Sequence, residues 1–211
     1  MTASVWVSLL VACVVISLTP GAGAINTMSN SLAEGWRRSI WGIIGQQLAL
    51  VVYIVVVAAG VGLMVSKFPV IFDVVRYVGA AYLAYLGVRM IFAKTDAADE
   101  ADSEVYTPRH ESAWAMLRRG FWVNILNPKA IVFFLAFMPQ FVRPDQPQLP
   151  QYLIVSVTMI VIDVAVMWFV FAGAAGSFRR LTRTAKGRRG INYTFGALFI
   201  AVALMLLFMR H

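Results

Sequence analysis

The chain has 211 residues, of which 60% are hydrophobic and 13% charged, with a net charge of +8. Average usage is about half apolar and about a quarter charged, so a soluble domain of this length has too little interior to hide this much apolar surface. The basic residues flank apolar runs and form no stripe between aromatics, which excludes nucleic acid as a partner and makes the bilayer the first one.

A membrane span needs about 20 predominantly apolar residues. In chain order, six candidates appear: Val5 to Met28, Ile40 to Val65, Val70 to Phe92, Phe121 to Phe141, Tyr152 to Gly176 and Ile191 to Met209. The first holds no basic residue before Leu18 and continues past Pro20, so it reads as a retained span and not a cleaved leader. The lone cysteine, Cys13, lies within it as a small buried hydrophobe. His110 and His211 show no metal-ligand spacing. The expected fold is therefore an all-α integral membrane protein of six transmembrane helices in a single membrane domain spanning residues 1–211.

Between the third and fourth spans, "AKTDAADEADSEVYTPRHESA" reads as an acidic linker, residues 94–113. "PQFVRPDQPQLPQ" carries four prolines and cannot continue a helix between the fourth and fifth spans. Arg37 and Arg38, then Arg89, Lys94, Arg109, Arg118 and Arg119, then Arg179, Arg180, Arg183, Lys186, Arg188 and Arg189 fall at loops one, three and five. The other side has Lys67, Arg76, Arg143 and Arg210. The imbalance puts loops one, three and five in the cytoplasm and both termini in the periplasm.

The linker divides the chain into halves, repeat one at 1–93 and repeat two at 114–211, with three spans each. An odd span number makes any repeat inverted. "LTPGAGAIN" in the first span and "LNPKAIVFF" in the fourth put Pro20 and Pro128 at matching places. "YVGAAYLAYLG" and "TFGALFIAVAL" align Gly79 and Ala80 with Gly196 and Ala197. Paired interruptions in inverted halves point to a transporter binding site. The expected architecture is thus two inverted three-helix repeats whose first helices are broken at proline.

Lys129 and Asp163 are the Lys, Arg, Asp or Glu residues placed well inside spans, where each costs about 2.5–3.5 kcal/mol. Their positions in the fourth and fifth spans bring both near mid-depth, so they can pair or share a solute. Lys129 attracts a carboxylate or orients Asp163, and Asp163 binds an amine or carries a proton. The neutral polar residues Asn26, Thr27, Gln46, Gln47, Asn124 and Asn127 join them, each with the alternative of a helix-to-helix hydrogen bond. The candidate substrate set is Pro20, Gly21, Gly23, Asn26, Gln46, Asn124, Asn127, Pro128 and Lys129, with Asp163 for proton coupling. The glycines let backbone approach a ligand. Ser, His and Cys do not converge in the spans, so an enzyme is not expected.

"SLTPGAGAINTM", "RYVGAAYLAYLG" and "NILNPKAIVFFLAFMPQF" resemble the blocks of the LysE-type amino-acid exporter family over nearly the whole chain. The likeness is greatest to its branch of homoserine and threonine exporters; the linker departs from the pattern. The resemblance implies a secondary exporter of the bacterial inner membrane. It would be driven by protons, act on homoserine, homoserine lactone or threonine-like solutes and need no cofactor, with a homo-oligomer as one expected assembly. Leucine or lysine export, or a small-solute channel, are the alternatives. No G-x-x-x-x-G-K-[ST] loop is present, in keeping with transport that uses no ATP.

Overall fold

A computed structural model describes residues 3–67, 69–93, 111–143, 145–182 and 184–208. Lys94, Arg109, His110, Arg183, Arg210 and His211 lie outside them. So does the acidic linker, apart from its last residues Glu111, Ser112 and Ala113.

Helices are the only regular elements among the described residues: α1 (Ala3–Leu18), α2 (Ala22–Glu34), α3 (Ile40–Lys67), α4 (Pro69–Ile91), α5 (Ala113–Ile125), α6 (Pro128–Ala136), α7 (Gln148–Ala165), α8 (Ala175–Thr182) and α9 (Ala185–Phe208). A 3-10 turn over Met138–Phe141 extends α6, and a π-helical stretch over Val166–Ala172 extends α7. Four stretches are each long and apolar enough to cross a membrane: Ile40–Gly60, Asp73–Ile91, Gln148–Ala172 and Ala185–Phe208. The pairs α1–α2 and α5–α6 pass the same test as bent units, at 57° and 59°, and bring the candidate spans to six.

Both bends fall where the sequence places its prolines, and each has a local cause. Pro20 bars Thr19 from continuing the helix, and Gly21 then begins α2 in an extended conformation. At the second break, Pro128 is the first residue of α6, where a missing N–H costs nothing. The Asn127 side chain caps that helix by accepting from the Lys129 amide at 3.1 Å. Pro150, in the first turn of α7, is tolerated for the same reason.

Several helices outrun the apolar segments that announce them. α2 continues to Glu34 and not Met28, α5 begins at Ala113 and not Phe121, and α9 begins at Ala185 and not Ile191. Hydropathy marks where lipid begins, whereas these added turns hold polar side chains bonded within the protein. Ser112 caps α5 by accepting from the Ala115 amide, and Arg119 binds α2. The short helix α8 has no counterpart among the expected elements.

α3 packs along α5, and α4 along α9. Glycine permits the first contact. A Cβ on Gly45 would stand 1.9 Å from the Leu117 carbonyl oxygen, and one on Gly120 2.1 Å from that of Gly42. Close backbone approach through small residues is how helices associate where lipid removes the hydrophobic drive. The core gathers on the second broken span, α5–α6 with its 3-10 turn: Phe137, Met138 and Phe141 are fully buried against Leu9, Leu83, Val155 and Leu206. Outward, large apolar side chains such as Val55, Val78, Val157 and Phe169 are exposed, which gives the surface a lipid-compatible face.

Candidate functional site

Breaking a helix frees carbonyls at the end of its first half, and lipid offers them nothing. Both breaks are served by side chains. At the first, the Lys129 ammonium donates to the Ile16 carbonyl at 2.8 Å and to that of Thr19. At the second, the Tyr53 hydroxyl on α3 lies 2.6 Å from the Ile125 carbonyl and 3.2 Å from that of Asn124. Tyr53 is held by stacking on Phe134, with centroids 5.2 Å apart. The opening lysine of α6 therefore secures the end of α1, and the two interruptions meet. A Cβ on Gly21 would lie 3.2 Å from Lys129 Cδ and 3.6 Å from Asn127 Nδ2.

A cavity of about 70 Å³ opens beside this meeting point, room for several waters on a scale of roughly 10–15 Å³ for the first. Gly21, Gly23, Gln46, Asn124, Asn127, Lys129 and Asp163 line it, with Cys13 and Ser17 from α1 and an apolar wall of Phe133, Phe134, Met159 and Met167. Asp163 sits on α7, three residues before the π-helical stretch. Its Oδ2 accepts from Gln47 Nε2 at 2.7 Å and its Oδ1 from Ser17 Oγ at 3.0 Å. Lys129 and Asp163 share the cavity without an ion pair, because the ammonium is turned to the α1 carbonyls.

Gln46 bridges α3 to the first two turns of α2, donating to the Gly23 carbonyl at 3.1 Å and to Thr27 Oγ1 at 3.0 Å. Asn124 donates to the Gln46 carbonyl at 3.0 Å. Thus α1, α2, α3, α5, α6 and α7 each contribute a lining group. Pro20 and Pro128 do not line the cavity; they shape the breaks from behind. Asn26 also points elsewhere, its Oδ1 accepting from Arg119 Nε at 3.2 Å.

Ser17, at the cavity, and Tyr53, at the second break, are absent from the site that the sequence suggests; Arg76, away from both, has a role that the sequence also hides. A serine in an apolar helix and a tyrosine in a span carry no signal of their own. Arg76 reads in the sequence as a flanking charge. It is buried, and donates to the Leu206 carbonyl at 2.9 Å and the Leu207 carbonyl at 2.6 Å, near the end of α9. Gln47 stands out in the sequence only as a polar residue of the third span, yet it binds the Asp163 carboxylate directly.

Fold and cavity define the class: a multi-pass membrane protein with a small chamber, part polar and part apolar, built where two broken helices meet. The chain belongs to the family described as LysE type translocator, which matches residues 14–210. It is a translocator and not an enzyme.

Among its relatives is a homoserine/homoserine lactone efflux protein of Salmonella typhimurium, 38% identical over the full length of both chains. A membrane protein of Vibrio cholerae, uncharacterized, is 36% identical over 96% of each chain. A leucine efflux protein of Klebsiella pneumoniae is 31% identical over 94% of this chain and 92% of its own. No solved structure matches the chain.

Proposed function

We propose that the protein exports a small amino acid, with homoserine, its lactone and threonine-like solutes as the first candidates, and that inward proton movement drives it. The observation that carries this reading is the Asp163 carboxylate, held by Ser17 and Gln47 in the same small cavity as Lys129. The full-length likeness to a homoserine/homoserine lactone efflux protein supports the substrate class.

The lining chemistry suits an amino acid. An ammonium has three donors, and Lys129 directs two to α1 carbonyls, so the third can meet a solute carboxylate. Asp163 can receive an amine. A lactone has no carboxylate, so it would depend less on Lys129. The apolar wall of Phe133, Phe134 and Met159, together with the leucine efflux relative, favours leucine as the second candidate.

For protons, the Ser17 hydroxyl is the useful partner. It donates to Oδ1 here, yet a hydroxyl also accepts. When Oδ1 takes a proton, the hydroxyl can turn and accept a hydrogen bond from it, while Gln47 keeps its bond to Oδ2.

Alternating access would come from two inverted three-helix repeats rocking about the cavity. The near-equal bends at Pro20 and Pro128 support the repeat. The basic residues of loops one, three and five support an orientation with those loops in the cytoplasm and the termini in the periplasm, and an inner-membrane location goes with that reading. Counterflow in proteoliposomes tests the reading, with homoserine, homoserine lactone, threonine, leucine and lysine compared with and without a pH gradient. Saturable counterflow enhanced by the gradient is expected; flux that neither saturates nor responds to the gradient would indicate a channel.

A further inference from the structure

From the cavity, α2 runs away through Asn26 and Asn30, and α5 approaches through Arg119. At about 1.5 Å per residue, these three side chains form a layer one to two turns beyond Gly23 and Asn124. Arg119 joins them: Nε donates to Asn26 Oδ1 at 3.2 Å, and Nη2 donates to Asn30 Oδ1. A second layer lies outside the first. Arg119 grips the Glu111 carboxylate through both terminal nitrogens, at 2.7 Å and 3.1 Å. Glu34 accepts from the Glu111 amide at 2.8 Å, and Arg38 donates to the Glu111 carbonyl at 2.7 Å.

Stability alone does not explain this choice of residues. Asn26 and Asn30 are buried, 6% and 0% exposed, and the Nδ2 group of each has no hydrogen-bond partner in the protein. Such a group loses its water without recovering the bond, a cost that the Oδ1 contacts to Arg119 do not remove. Meanwhile α3 offers glycine at this level: a Cβ on Gly42 would stand 2.2 Å from Asn30 Nδ2 and 3.4 Å from Asn26 Nδ2. Polar side chains with unsatisfied donors, stacked between the cavity and a charged surface, suit a closed passage. In another state those donors face water or solute.

We infer that Arg119, with Asn26 and Asn30, is the gate between the cavity and the face carrying loops one and three. This inference rests on the transport reading above, and it places the gate on the cytoplasmic side only if the proposed orientation holds. Opening would separate α2 from α5. Glu111 and Arg38, holding Arg119 and the approach to α5 from outside, serve as its latch.

The native thiol reports on the gate, because Cys13 lines the cavity. Its modification by a membrane-impermeant, cationic methanethiosulfonate would be timed in right-side-out and inside-out vesicles. Arg119→Ala should raise the rate from the cytoplasmic side by at least about tenfold, the change that loss of even one of its charge-assisted hydrogen bonds brings to a two-state equilibrium. The rate from the other side should stay the same. Ala130→Cys in a Cys13→Ser background supplies a second reporter in the same cavity. Should Arg119→Ala fail to reach the membrane, Glu111→Gln gives the same reading with a smaller rise. Unchanged modification of both reporters in a folded variant would overturn the gate, as would an equal rise from both sides, which marks a loosened bundle. A rise from the periplasmic side alone would keep the gate and overturn the orientation.

Discussion

The Lys129 ammonium lies 2.8 Å from the carbonyl oxygen of Ile16, a residue 113 positions earlier in the chain. The contact joins the start of one half-helix to the end of another. It also explains why a lysine follows the proline in "ILNPKAIVFF": the second break carries the cation that the first one lacks.

Lys129→Met should therefore destabilise the fold as well as impair transport. It leaves the Ile16 and Thr19 carbonyls without that donor, at about 1–3 kcal/mol for each buried group. A thermal shift in detergent should show a lower Tm, and Lys129→Arg should recover part of it. A variant with wild-type Tm and no transport would make Lys129 a solute ligand and nothing more.

Asp163→Asn keeps the shape of the side chain and removes the carboxylate that could bind a proton. Gradient-driven uptake into inverted vesicles should be abolished, while solute exchange without a gradient persists. Ser17→Ala, which removes the hydroxyl that can turn from donor to acceptor, should weaken coupling in the same direction but less. Fully coupled transport by Asp163→Asn would leave the carboxylate as a structural partner of Ser17 and Gln47.

The two breaks are legible in the sequence because Pro20, Asn127 and Pro128 act on their own backbone. What the breaks bind is not. Carbonyls of Ile16 and Thr19 have no signature in a sequence, and nothing local tells a lysine that its acceptors lie more than a hundred residues away. Gln46 and Gln47 show the same limit at closer range. Adjacent helical residues point about 100° apart, so one reaches α2 and the other Asp163. Choosing between them needs the rotation of α3, which is set by Gly42 and Gly45 against α5. The full extents of α2, α5 and α9 are hidden because their polar turns look like loops until their partners are known.

The glycines of α3 separate packing from function. A Cβ at Gly45 would meet backbone at 1.9 Å, whereas at Gly60 it would meet nothing within 4 Å. Gly45→Ala should push α5 off α3 and sharply reduce the folded protein recovered from membranes. Gly60→Ala should leave yield and transport unchanged or raise stability slightly, by about the 1 kcal/mol that alanine gains over glycine in a helix. Size-exclusion profiles of the two variants give the comparison, and equal behaviour would contradict the close α3–α5 contact.

At the second break, the cap and the proline can be told apart. Asn127 accepts from the Lys129 amide at 3.1 Å and so fixes the direction in which α6 starts. Its loss in Asn127→Ala should cost about 0.5–2 kcal/mol and let the lysine backbone drift from α1. Pro128 contributes less, because it fixes one torsion at a position where its missing N–H is not needed. Pro128→Ala should thus keep most transport, and Asn127→Ala should lose more transport than folded protein. Initial rates normalised to protein in the membrane make the test. If Pro128→Ala proved the more damaging of the two, the ring itself, and not the cap, would be what holds the break open.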